Sequence, residues 1–134
     1  MKNVVVIPTY NERDNVQPLI ERLFQLPVKL DLFFVDDASP DGTGDLLDEL
    51  GRTDRRLRIL HRPAKLGLGT AYRHVFHLLL KEPYERFITM DADLSHPPEA
   101  IPELLEAAGG ADLVIGSRYV SHAEIRNCSW AVGC

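Results

Sequence analysis

The chain has 134 residues, which is room for one ordinary domain around one core. Its 15 lysines and arginines are outnumbered by 20 aspartates and glutamates, for a formal charge of -5; with no basic stripe along it, nucleic acid is excluded as an expected partner. No stretch approaches the ~18–20 apolar residues of a membrane span, the opening apolar run is too short for a signal-peptide core, and Cys128 and Cys134 fit neither a metal knuckle nor a redox pair, so a reducing, cytosolic setting is expected.

The first element in chain order is "NVVVIP", Asn3 to Pro8, whose unbroken apolar run reads as a strand buried on both faces. From Asn15, apolar residues at Val16, Leu19, Ile20, Leu23 and Phe24 form one helical stripe, ending near Pro27. "LDLFFVDD" is the second strand, and "SPDGT" supplies turn chemistry around Gly42. Leu46, Leu47 and Leu50 then predict a short helix closed by Gly51. "LRILHR" is the third strand. After "PAKLGLG" a helix carries Ala71, Tyr72, Val75, Phe76 and Leu79 on one side, and "RFITM" follows as the fourth strand. Pro97, Pro98 and Glu99 suit the first turn of a helix whose apolar face includes Leu104, Leu105 and Ala108. "ADLVIGS" completes a fifth strand. Alternating strands and helices of this kind predict an α/β fold with a mostly parallel sheet and right-handed crossovers.

In such sheets ligands bind beyond the carboxyl ends of the strands. The segments that follow the strands here are polar: "PTYNE", "DDASPDG", "DADLSH" and "SRY". Asp91 and Asp93 end the fourth strand two residues apart, so on an extended chain their side chains point the same way, about 7 Å from each other. That leaves room for one hard cation, magnesium or manganese, whose remaining ligands are water and substrate phosphate. A pair of aspartates can also simply cap a loop. Asp36, Asp37 and Glu12 on the same rim weigh against that simpler account, because a cluster of acids at one edge is explained by a cation.

"VVVIPTYNE", "VDDASPDGT", "KLGLGTAYR", "MDADLSHPPEAIPELL" and "DLVIGSRY" together resemble the family 2 glycosyltransferases, in particular those acting on dolichyl or polyprenyl phosphate, across residues 4–120. The resemblance implies a GT-A (Rossmann-like) fold in which a nucleoside diphosphate sugar lies across the strand ends. It implies that Asp91 and Asp93 hold Mg2+ or Mn2+ on the diphosphate, with Ala92 and Asp93 also lying against the donor. Pro8, Tyr10 and Glu12 would flank the base and ribose. Asp37 would face the nucleoside, while Asp36 fixes the loop. Gly67 and Gly69 would allow close backbone approach before a helix N-terminus that favours negative charge. Arg118 would act with Asp91 and Asp93 in catalysis as the cationic partner of a phosphate. Ser95 falls near the metal in the family pattern, and His96 is expected to cap a helix. His74 and His77 are expected on a helix surface, and no histidine has ligand spacing.

The implied reaction is inverting transfer of a sugar, with mannose from GDP-mannose preferred on the resemblance alone, to a polyprenyl or dolichyl phosphate. An acceptor phosphate is already ionised near neutral pH and needs no general base. Residues 1–120 would form the donor domain and residues 121–134 the start of an acceptor region. The family's chains continue beyond this point with an acceptor loop and amphipathic helices. Peripheral contact with the cytoplasmic face of a membrane is therefore expected from the continuation, and self-association from the apolar surface its absence would expose. Two other readings compete. One is a nucleotide-sugar-binding module without turnover. The other is a haloacid-dehalogenase-like phosphatase, with Asp91 as nucleophile and Asp93 as general acid, but that reading places the motif on the first strand, whereas four strands precede it here.

Overall fold

The computed structural model describes residues 3–63, 68–79, 81–82, 84, 86–94, 97–108, 113–115 and 131–132. Strands β1 (Asn3–Thr9), β2 (Leu30–Asp37), β3 (Leu57–Arg62), β4 (Arg86–Thr89), β5 (Leu113–Ile115) and β6 (Ala131–Val132) form one sheet in the order β3-β2-β1-β4-β5-β6. The first five are parallel and β6 pairs antiparallel to β5, Leu113 opposite Val132. Helices α1 (Arg13–Phe24), α2 (Thr43–Thr53), α3 (Leu68–Leu79) and α4 (Ile101–Ala108) make the connections, α4 being entered through a 3-10 turn over Pro98–Ala100.

The continuous apolar run of β1 has a direct cause in the layering. Val5 and Ile7 pack into a core with Leu19 and Leu23 of α1, Leu47 of α2 and Ile101 and Leu105 of α4. Val4 and Val6 face the other way, toward Val75 and Leu79 of α3. With both faces covered there is no polar side to alternate with. Each buried leucine or isoleucine in these layers contributes about 1.5–3 kcal/mol of burial free energy. Pro8 is tolerated within this central strand because the ladder to β4 ends two residues earlier, at Val6 opposite Thr89, with the Met90 N–H bonded to the Val6 carbonyl at 3.2 Å.

Three sequence expectations need adjustment. Helix α1 begins at Arg13 rather than Asn15, and ends at Phe24 rather than near Pro27. Strand β4 stops at Thr89, so Met90 lies beyond it. Gly51 does not close α2; it sits inside the helix, where an added Cβ would meet Ile59 Cδ1 at 3.0 Å and the Leu57 carbonyl oxygen at 3.3 Å. Its role is close approach of helix to strand, and the helix runs on to Thr53. His74 and His77 are exposed on α3, as expected.

Candidate functional site

The strand tails of β1, β2 and β4 open at one edge of the sheet, and each turns through a left-handed residue that is not glycine. Asn11 has φ 56°, Ala38 has φ 53° and Leu94 has φ 62°. Each such residue costs roughly 1–3 kcal/mol and persists only where its surroundings hold it.

Asp36 is the hub that holds the first two tails. It is only 2% exposed, and its carboxylate accepts hydrogen bonds from Thr9 Oγ1 at 2.9 Å, Ser39 Oγ at 2.6 Å and the Ser39 N–H at 3.1 Å. Ser39 Oγ in turn accepts the Asn11 N–H at 2.9 Å. Gly44 lets α2 pass close by, since a Cβ there would lie 2.9 Å from Asp36 Oδ2 and 3.0 Å from the His61 ring. Asp36 thus does the loop-fixing work expected of it.

Asp37 is engaged differently. Arg62, the residue opposite it on β3, donates Nε to Oδ1 at 2.6 Å and Nη2 to Oδ2 at 2.7 Å. Both side chains are buried. The Asp37 carboxylate raises the Arg62 guanidinium further above its ordinary range, against the opposing effect of burial. A fork with two parallel bonds fixes the orientation of both groups.

The β1 tail carries Tyr10, 37% exposed, and Glu12, half-buried, into helix α1. Glu12 is the residue before α1, yet its side chain does not cap the helix; its Oε2 accepts from Asn15 Nδ2 at 2.7 Å. Capping comes instead from the β2–α2 turn. Asp41 Oδ2 accepts the Arg13 N–H at 3.2 Å, and Thr43 Oγ1 accepts the Glu12 N–H at 3.1 Å. Asp41 Oδ1 accepts both the Thr43 N–H, at 3.0 Å, and the Thr43 hydroxyl. Burial pushes the Asp41 carboxyl up, but the bonds from the Thr43 side chain and from the Arg13 and Thr43 backbone outweigh it and leave the group below its ordinary value.

Asp91 and Asp93 follow β4 in a bend rather than on the strand itself. Met90 and Ala92 are buried, Ala92 at 3% exposure, while Asp91 is half-buried and Asp93 exposed. The backbone is thereby anchored in the core at alternate residues, with the two carboxylates left toward the surface. Two hard oxygen donors two residues apart suit magnesium or manganese, which take only one or two protein carboxylates. Among the described residues no group of three or more His, Cys, Asp or Glu side chains is placed to hold a metal. The Thr89 hydroxyl, one residue before Met90, is buried without a hydrogen-bond partner.

Pro8 is half-buried near the end of β1, and Gly69 lies in the first turn of α3. Gly67, Ser95, His96 and Arg118 lie outside the described residues. Tyr10, Glu12, Asp36 and Asp37 are brought to one rim by the pairing of β1 with β2. Thr9, Ser39, Asp41, Thr43 and Arg62 were not singled out from the sequence. The available signal was a polar or charged residue at the end of an apolar strand, which "VDD" and "LHR" both show.

A parallel sheet whose polar strand tails open at a common edge defines an α/β domain of the class that takes its ligand beyond the carboxyl ends of the strands. The family model for glycosyl transferase family 2 matches residues 4–132, and the chain belongs to that family. It is 46% identical over 131 residues to the polyprenol monophosphomannose synthase of Mycolicibacterium smegmatis, covering 96% of this chain and 49% of that protein. Over 127 residues it is 46% identical to the undecaprenyl-phosphate mannosyltransferase of Micrococcus luteus, covering 95% of this chain and 52% of that one. The chain thus spans about half the length of these relatives. The fold matches a mannosyltransferase from Pyrobaculum calidifontis, solved in complex with GDP-Man and Mn2+, with a TM-score of 0.60 at 22% identity over 77% of this chain and 32% of that one. The fold is GT-A.

Proposed function

We propose that this domain binds a nucleoside diphosphate sugar, GDP-mannose by preference, and that the protein it belongs to transfers the sugar with inversion to a polyprenyl or dolichyl phosphate. The observation that carries the reading is the Asp91-Ala92-Asp93 bend, anchored by buried Met90 and Ala92 at the carboxyl end of β4, in a chain 46% identical to two enzymes of that class. Asp91 and Asp93 are the residues that would hold Mg2+ or Mn2+, which when bound neutralises charge on the diphosphate leaving group. Tyr10 offers a ring for the base to stack on, with Pro8 two residues before it flanking the base and ribose. Glu12 and Asp37 offer carboxylate oxygens to base and ribose donors. Ala92 and Asp93 lie against the sugar diphosphate, and Gly67 and Gly69 admit its backbone-side approach. Arg118 pairs with a phosphate oxygen. An acceptor phosphate attacks as the anion it already is, so no residue of this chain is needed as general base.

The phosphatase alternative loses ground because the motif follows the fourth strand in chain order and lies beside a central strand, β1, that bears no such motif. Binding without turnover is the second reading, which transfer of the sugar to a polyprenyl phosphate would exclude. Residues 121–134 would begin the acceptor region. The rest of that region would approach the cytoplasmic face of a membrane; among the described residues no helix is long and apolar enough to cross one.

Calorimetric titration with GDP-mannose and UDP-glucose, with and without Mn2+ or Mg2+, tests the donor site. The expected result is metal-dependent binding of GDP-mannose that Asp91→Ala/Asp93→Ala abolishes. A folded chain that binds neither nucleotide would overturn the reading.

A further inference from the structure

We infer that Asp41, acting through Thr43, is a positioning residue for the donor: it ties the tail bearing Tyr10 and Glu12 to the β2–α2 turn and so sets the height of the nucleoside subsite. The inference rests on the donor reading above and adds to it a residue that contacts no donor atom.

The first donors of a helix have no partner within it, and a side chain at the position just before the first turn usually satisfies one. Helix α1 lacks that local cap. Two consecutive N–H groups, those of Glu12 and Arg13, are satisfied from a turn 31 and 28 residues away in sequence, the first through the Thr43 hydroxyl and the second by Asp41 directly. The Thr43 hydroxyl spends its own proton on Asp41 Oδ1, so its oxygen is oriented to accept. One carboxylate therefore fixes two adjacent backbone groups. The same tail is held a second time, by Arg13 Nη1 donating to the Gly42 carbonyl at 3.2 Å and by the Asn11 N–H donating to Ser39 Oγ.

The conformation that these bonds hold is one the chain would not adopt unaided. Asn11 sits at φ 56°, and Gly42, which the turn needs, at φ 89°. Tyr10 stands directly before Asn11 and Glu12 directly after it, so the left-handed residue sets the relation between the two groups assigned to the nucleoside. Release of Arg13 and Glu12 would let Asn11 relax toward the ordinary right-handed region and would swing Tyr10 off the rim. The thermodynamic effect would fall on donor affinity beyond its effect on the fold, because preorganisation of a binding loop is itself part of the affinity.

The test compares the wild-type chain with Asp41→Ala, Thr43→Val, Thr43→Ser and a control, Leu50→Ala, which loosens α2 packing away from the tails. Amide hydrogen exchange at Glu12 and Arg13 is measured without nucleotide, and affinity is measured for GDP-mannose and for GDP with Mn2+. Faster exchange at these two amides in Asp41→Ala, with affinity weaker by about tenfold, and Leu50→Ala unchanged in affinity, is the expected result. Thr43→Ser, which keeps the hydroxyl, is expected to bind as wild type and Thr43→Val to lose affinity; that pair decides the matter should Asp41→Ala fail to fold. Faster exchange with unchanged affinity, or equal affinity in Thr43→Ser and Thr43→Val, would overturn the positioning role while leaving the donor site standing. A wild-type chain that binds no nucleotide would remove the donor site and this inference together.

Discussion

Asp37 and Arg62 occupy the last paired positions of β2 and β3 and are buried there against each other. A buried ion pair is weak evidence for stability, yet removing one partner leaves an uncompensated charge in low dielectric. Arg62→Met is therefore expected to lower unfolding free energy by about 3–5 kcal/mol, read from urea denaturation, and Arg62→Met/Asp37→Leu to recover much of that loss. Failure of the double substitution to recover would mean that Arg62 matters through bonds other than those to Asp37. The pair shows a limit of reading from sequence. "VDD" announced a polar strand end, but which carboxylate fixes a loop and which meets an arginine depends on the register of β2 against β3, and that is set by side-chain packing over the whole strand. The loop-fixing role of Asp36 was legible; the partner of Asp37, 25 residues away, was not.

At the level of elements, strands were more legible than helix ends. The bounds of β2 and β3 coincide with the segments "LDLFFVDD" and "LRILHR"; β2 is buried along nearly its whole length, whereas β3, at the edge of the sheet, is half-exposed. Helix α1 starts earlier than its apolar stripe because its first turn is capped from another loop, and stripes report packing rather than capping. Glycine ends many helices, but Gly51 lies inside α2, where contact with Leu57 and Ile59 accounts for it. Helix α1 also carries Pro18 in its interior, exposed on the solvent side. Proline there has no N–H for the Asp14 carbonyl and crowds the preceding turn, at a typical cost of about 3 kcal/mol. Pro18→Ala is expected to raise stability by about 1 kcal/mol or more, since the solvent-facing ring gives up little packing in exchange. Thermal unfolding checks this, and a lowered midpoint would show that the proline bends α1 into its seat on the sheet.

For the whole molecule, the sheet order places β1 inside the sheet, flanked by β2 and β4, with helices over both faces. Amide exchange slows where opening demands global unfolding. Val5, Val6 and Ile7 are expected to exchange most slowly, with rates set by global stability, and the outer strand β3 faster. Slower exchange in β3 than in β1 would contradict this layering. The α/β class, the strand sequence and the acidic rim were all legible, since each depends on local periodicity or on strand tails. Strand β6 was not, since a two-residue strand carries too little pattern to see.

That sheet order also bears on how the chain is made. Translation delivers β1 first and its second neighbour, β4, only when Arg86–Thr89 emerge from the ribosome. At ~5–20 residues per second, the nascent polypeptide carries one unpaired edge of "NVVVIPT" for on the order of 4–15 s. An apolar strand with a free edge is a template for pairing with another chain, so the most protected strand of the finished domain is its most vulnerable one during synthesis.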